Sequence, residues 1–327
     1  MSADSLPPYR IPAVIDFRYH LVSLIAVFLA LAIGIVVGTT ALNGYVVDDL
    51  RARNGTVIHD KRTLEGQVRD LRTQVSRREQ FADAVGPKVV AGQLTDEKVV
   101  LVTMPGVSEQ LVQDLTRLIQ SAGGAVTGRL SLHGDLLDPT KSSVVDDVTA
   151  QVAPPGLSLP DDSAARAALE LAAATVSKPG PSISRDAAAK VLGGFRGADL
   201  VDVQAAGISG LVPATLAVLV SAAYDGTPLD DAARHAQQAA VALATALDAR
   251  AEGAVLAGPA SAAQSGGLIA ALRSDGAASG AVSTVDAADT AYGAVATVLA
   301  LHEQATGRAG RYGQGPGAQA AAPTPAP

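Results

Sequence analysis

The chain has 327 residues, a formal net charge of -7, and 48% hydrophobic but only 3% aromatic residues. The acidic balance and the lack of a basic stretch laced with aromatics exclude nucleic-acid binding as its main task. It contains no cysteine, so disulfides and thiolate metal sites are excluded too, and the redox compartment is not legible from them.

After a short N-terminal segment, residues 1–20, the chain becomes strongly apolar. From Leu21 to Val47 no residue carries a formal charge, and at ~1.5 Å rise per helical residue this run exceeds the ~30 Å of a bilayer core. A secretory signal has an apolar region of roughly 7–15 residues followed by a small-residue cleavage site. This run is longer, although Thr39-Thr40-Ala41 resembles a weak cleavage site. A buried core helix would not stay apolar all round for such a length. The expected element is a transmembrane helix over 21–44, in contact with the lipid bilayer. Ala26, Ala30, Gly34 and Gly38 recur every four residues and line one face, with Gly34 and Gly38 forming a GxxxG. Small residues let two backbones approach closely in lipid, so this face predicts a dimer. At the membrane edge stand Asp16, Arg18, Tyr19 and His20. Asp16 and His20 share a helix face and are candidates for chemistry, but interfacial anchoring together with Arg18 and Tyr19 is the expected role.

A heptad begins where the apolar run ends. Val47, Asn54, Lys61, Val68 and Val75 fall at seven-residue intervals, and so do Leu50, Val57, Leu64, Leu71 and Arg78, offset by three. These are the a and d positions of a coiled coil. The predicted stalk covers 45–85, as a parallel homodimer. Asn54 and Lys61 place polar groups in the seam, which sacrifices stability and favours a fixed register and two strands. Gly55 and Gly66 fall on the outer face, each costing up to about 1 kcal/mol of helix propensity. A span that runs directly into a stalk is expected to stay attached.

Gly86-Pro87 is expected to end the coil, and an α/β domain over 86–306 follows. Lys98 to Thr103 reads as a buried strand, Pro105-Gly106 as a turn, and Ser108 as the N-cap of a helix carrying Leu111, Leu115 and Leu118. A second strand runs near Ala125 to Leu132. After a helical stretch from Ser163 to Gly193, Leu216 to Ala222 reads as a strand. Thr227-Pro228-Leu229-Asp230 then caps a helix ending near Ala251. Val255 to Ala257 and Val282 to Val285 are further strands, with helices near Ala263 to Leu272 and Asp289 to Gln304. The alternation predicts a mostly parallel sheet covered on both faces. From Gly307 the composition turns Gly- and Pro-rich, and 307–327 reads as a disordered tail.

Ligands of parallel sheets usually sit beyond the strand C-termini. Pro105-Gly106-Val107-Ser108 and Gly258-Pro259-Ala260-Ser261 occupy such places, but neither has a P-loop lysine or a complete GxGxxG, and turn chemistry explains both. There is no GxSxG, and His302-Glu303 lacks the second histidine of HExxH. His59, His133, His235 and His302 are scattered, so no metal-ligand set is named. No acid, base or nucleophile constellation is visible, and the chain is expected not to be an enzyme.

Ile15-Asp16-Phe17-Arg18-Tyr19-His20-Leu21 running into the Ala/Gly-rich span, the coil after it, and VDAADTAYGAVATVLALHEQATGRAGRYG, Val285 to Gly313, together resemble the mycobacterial copper transport protein B family of actinobacteria. The resemblance covers the chain up to the tail. It implies an envelope protein in copper transport or copper homeostasis, with the large C-terminal domain outside the cytoplasm and copper as the only implied cofactor. The charge count points the other way, because Arg51, Arg53, Lys61 and Arg62 follow the span and only Arg10 and Arg18 precede it. Long domains, however, translocate largely regardless of charge. Cu(I) prefers soft thiolate or thioether ligands, and the only sulfurs are Met1 and Met104. One span encloses no pore, and no series of alternating strands of roughly ten residues suggests a membrane barrel. The sequence therefore supports a single-pass dimeric envelope protein that acts by binding and positioning. The alternative is an envelope scaffold for a second membrane or envelope protein, such as a regulator of a cell-wall or cell-separation enzyme, without direct copper handling.

Overall fold

A computed structural model describes residues 17–179, 182–207 and 210–324, with the backbone alone over 40–52. The chain forms two compact units, one up to Gln74 and one from Val75 onward. The first is made of helix α1, Phe17–Val90, whose last turns belong to the second. Over Phe17–Thr39 this helix has a mean hydropathy of 2.9 with none of it buried. Among the described residues it is the one helix long and apolar enough to cross a membrane.

Helix α1 does not stop at Gly86-Pro87 as expected, but continues through Pro87 to Val90. A mid-helix proline removes one backbone hydrogen bond and costs about 3 kcal/mol. Burial at the helix end offsets that cost, because Val90 and, just beyond it, Leu94 are fully buried. Gly86 is there for close approach: a Cβ on it would stand 2.7 Å from Val295 Cγ2.

The second unit is built on strands β1 (Lys98–Thr103), β2 (Ala125–Leu132), β3 (Val201–Ala205), β4 (Leu216–Val220), β5 (Gly253–Ala257), β6 (Ser283–Val285) and β7 (Arg311–Tyr312). They form one sheet in the order β3-β2-β1-β4-β5-β6-β7. Every neighbouring pair is parallel except β2 and β3, so the mostly parallel sheet holds with one antiparallel edge strand. That edge strand was not legible, because V-D-V-Q-A alternates weakly and four of its five residues are not buried. The order reverses direction between β1 and β4, the usual ligand crevice of such folds.

Side chains alternate between two apolar clusters. Val100 and Val102 of β1, Ala217 and Leu219 of β4, and Ala254 and Leu256 of β5 face one cluster. Helices α4 (Ser142–Val152), α5 (Ser163–Thr175), α6 (Arg185–Gly197) and α7 (Asp231–Arg250) contribute to that side. The other cluster takes Val99 and Leu101, Leu216 and Val218, and Val255 and Ala257. It is closed by α2 (Glu109–Ser121), α10 (Ala291–Ala305) and the end of α1. Burial on both faces explains why these strands read as continuous apolar runs. The short helices α3 (Gly134–Leu137), α8 (Leu268–Ser274) and α9 (Ala278–Ala281) connect the larger elements. Asp230 caps α7, its side chain accepting from Ala233 N, whereas Ser108 makes no side-chain cap on α2.

Residues 307–324 are not the disordered tail their composition suggests. Strand β7 pairs with β6, Tyr312 bridges to Ala320, and Tyr312 is buried. The Tyr312 hydroxyl also donates to the Glu303 carboxylate. The composition misleads because Gly313 and Gly315 serve close contact with the Asp286 carboxylate.

Candidate functional site

Most of the described residues expected to matter on the N-terminal helix are exposed. Asp16 lies outside the described residues, whereas Arg18, Tyr19 and His20 fall in the first turn of α1, with Tyr19 77% exposed. Ala26, Ala30, Gly34 and Gly38 lie along one side of the same helix, and nothing stands within 4 Å of a Cβ built on either glycine. Thr39 Oγ1 donates to Ile35 O at 2.8 Å, which satisfies its hydroxyl within the helix. Val47 and Leu50 are helical in backbone, but their side chains lie outside the description. Further on, Val57 is 63% exposed, Leu64 59% and Leu71 60%, and Val68 and Val75 are exposed as well. Asn54 and Lys61 are exposed on the same helix. Val57, Lys61, Leu64 and Val68 share one face of the helix.

The strand-end loops are occupied by their own contacts. Gly258 N donates to Val285 O at 3.0 Å and Gly258 O accepts from Ala288 N at 2.8 Å. Met104 N donates to Val220 O at 3.0 Å. A Cβ on Gly258 would lie 2.9 Å from Ser221 Cβ. Ser261 Oγ accepts from Tyr224 N. The Gly258 and Met104 amides are thus engaged within the sheet and are not open to an anion.

Four polar arrangements in the second unit escaped sequence reading. Asp286, at the end of β6, is fully buried and its Oδ2 lies 2.9 Å from Arg273 Nη1. Its Oδ1 accepts from Gln314 N at 2.6 Å and Gly315 N at 2.9 Å. Arg273 also donates to Thr284 Oγ1, Pro316 O and Tyr312 O. Burial draws the guanidinium below its usual pKa, while the hydrogen bond and charge of Asp286 hold it up. Gly313 has φ of +124°, and a Cβ there would collide with the Asp286 carboxylate. This constellation fastens the C-terminal segment to the sheet. The glycine spacing of Gly313 and Gly315 was its only sequence signal.

Glu79, near the end of α1, accepts from Ala291 N at 2.6 Å and so caps α10 together with Thr290. His133 follows β2; its Nδ1 lies 2.8 Å from Asp199 O and its Nε2 3.0 Å from Asp202 Oδ2. The hydrogen bond to Asp202 leads in raising the His133 pKa. Glu170 of α5 is fully buried, neither of its oxygens has a hydrogen-bond partner among the described residues, and burial pushes its pKa up to about 7 against the pull of Arg166.

These groups do not make a copper centre. Among the described residues no three of His, Cys, Asp or Glu converge in a way that could hold a metal. Met104 packs against the apolar core, His302 Nδ1 lies 2.7 Å from Gln93 O, and His235 and His59 stand on separate helices. Soft Cu(I) ligation needs convergent sulfur or imidazole donors, and the donors present do not fit it.

A long apolar helix joined in sequence to a two-faced, mostly parallel α/β unit defines a class of membrane-anchored α/β proteins. Within it, the family model described as "Copper transport outer membrane protein, MctB" matches residues 14–323, and the chain belongs to that family. It is 30% identical over 146 residues to proteins named copper transporter MctB from Mycobacterium tuberculosis and Mycobacterium bovis, covering 44% of this chain and 46% of each relative. The Mycobacterium leprae protein of the same name is 28% identical over 160 residues. The match thus spans less than half the length of these curated relatives.

Proposed function

We propose that the chain is a single-pass membrane protein that pairs in parallel and serves copper transport or homeostasis by binding and positioning, without catalysis. The observation that carries this reading is α1 itself. One continuous helix holds an apolar span with none of it buried and then a heptad face whose Val57, Leu64 and Leu71 are about 60% exposed. The bilayer covers the first part and a second copy covers the other, through Ala26, Ala30, Gly34 and Gly38 and then Val47 to Val75. The α/β unit lies outside the cytoplasm, as the family resemblance implies, and acts on copper handling through a partner protein, since its donors do not converge among the described residues. Copper enters this reading through family membership and the names of the relatives.

The same lack of convergent donors favours a second reading, in which the chain is a scaffold for a cell-wall or cell-separation enzyme and copper effects are indirect. Two measurements separate the readings. The full chain in detergent is titrated with Cu(I) and Cu(II) against a chelator of known affinity, and copper content is compared in cells with and without the chain. The first reading expects no submicromolar binding together with altered copper content. Tight whole-number binding overturns the absence of a copper centre, and unchanged copper content leaves the scaffold reading. Labelling of a cysteine introduced at Gly307 by a membrane-impermeant reagent on intact cells tests the topology. Labelling only after lysis would place the domain inside.

A further inference from the structure

The heptad face contains an ionised step that the pairing proposed above makes consequential. Two copies whose Phe17–Thr39 spans sit in one membrane enter it from the same side at the same depth, so their helices run parallel and in register. Equal residues then meet at the seam, Asn54 with Asn54 and Lys61 with Lys61. With Lys61 at an a position, Asp60 takes g and Glu65 takes e. In a parallel two-stranded coil, the g residue of one helix lies beside the e residue five positions on in the other. Asp60 of each copy therefore faces Glu65 of its partner, a like-charge pairing that occurs twice. Within one chain Lys61 Nζ is already 3.8 Å from Glu65 Oε1, with both side chains more than half exposed. Asp60, Lys61 and Glu65 share one helix face with the apolar residues Val57, Leu64 and Val68. Arg72 takes the e position of the next heptad, and His59, Arg62 and Arg69 take f and b positions on the outer face.

We propose that Asp60, Lys61 and Glu65 of two copies of the chain form one ionised layer in the seam, which fixes register and keeps the stalk weakly paired at neutral pH. The layer brings two ammonium groups and four carboxylates together, a surplus of two negative charges. Each lysine bridges its own Glu65 and the partner's Asp60, and this holds a charged side chain at a seam position. The surplus repels, so protonating the carboxylates on mild acidification tightens the pair. Strong acid would leave the two lysines unopposed and loosen it again.

The test is energy transfer between donor- and acceptor-labelled full chains in detergent, followed on dilution at pH 7.5 and pH 4. Glu65→Gln keeps a similar helix propensity and removes the surplus charge. It is expected to tighten association roughly three- to fivefold at pH 7.5, as two relieved like-charge contacts allow, with the gain at least halved at pH 4. Lys61→Leu separates this layer from an ordinary polar seam residue. In an ordinary seam it tightens association to the same extent in any background, whereas here it tightens less in the native chain than in Glu65→Gln. A dimer indifferent to Glu65→Gln, or one gaining equally at both pH values, overturns the layer while leaving the pairing. A wild-type chain that stays monomeric at every concentration and pH overturns the pairing and the layer with it.

Discussion

The two units use the same apolar residue types to opposite ends. In the second unit Val99, Val100 and Val102 are fully buried and Leu101 is 1% exposed, enclosed by helices on both faces of the sheet. On the first helix Leu24 is 59% exposed, Phe28 62% and Val57 63%. A domain of this size closes its own core, whereas a single helix buries no apolar surface against itself. The difference teaches that stability is intramolecular in one unit and depends on surroundings in the other. Substitutions should separate cleanly into those that move the unfolding transition and those that move self-association.

The largest effect is expected at the buried Asp286–Arg273 pair. Asp286→Ala leaves a buried guanidinium and the Gln314 and Gly315 amides without their acceptor, so it should cost about 3–5 kcal/mol. Urea unfolding of the full chain followed by circular dichroism measures this loss. Unchanged self-association alongside it would sharpen the contrast between the units, and a parallel loss of pairing would break it.

Next is Glu170. Its folded pKa, near 7, stands above the ordinary value of 4.5, so the unfolded chain ionises first as pH rises. Ionisation of Glu170 therefore costs nothing below about pH 4 and destabilises increasingly between pH 4.5 and 7. Glu170→Gln should raise stability by on the order of 2–3 kcal/mol at pH 8 and leave it unchanged at pH 4. Equal melting temperatures of the two chains at pH 8 would contradict a buried, partnerless carboxylate.

Leu64→Asp, at the centre of the heptad face, should weaken self-association at least roughly tenfold while leaving the domain's melting temperature unmoved. Gly34→Ile with Gly38→Ile tests the membrane part in the same assay. Dimers unaffected by both changes would remove the proposed pairing.

The smallest effect is expected at His133, whose side chain is 30% exposed. Its folded pKa is raised, so its contribution is fully present below its unfolded value of about 6.5 and is lost as pH rises through the higher folded value. His133→Asn should cost a few tenths of a kcal/mol at pH 6, after screening, and nothing at pH 9. A loss of equal size at both values would show that the ring acts by packing, with its charge irrelevant.

Local pattern made much of this fold legible. The uncharged run after Leu21 specified a span, the V/L-rich run at Lys98–Thr103 specified a two-faced strand, and Thr227 to Asp230 specified the start of α7. Each rests on residues adjacent in sequence, where hydropathy, turn chemistry and caps act. The helix through the heptad segment was also legible, since helical period is a local property.

What only tertiary structure decided involves residues far apart in sequence. Pro87 reads as a helix end, yet burial of Val90 and Leu94 against the α/β unit carries α1 past it. Gly313 and Gly315 read as a loose tail, yet the Asp286 carboxylate, 27 and 29 positions earlier, needs their missing side chains and the Gln314 and Gly315 amides. Glu170 is buried because α4, α6 and α7 pack around α5. Sequence by itself determined which segments are apolar and with what period, because those properties are fixed by neighbours along the chain. The tertiary structure decided which glycines, charges and breakers are tolerated, because that depends on what the folded chain places against them.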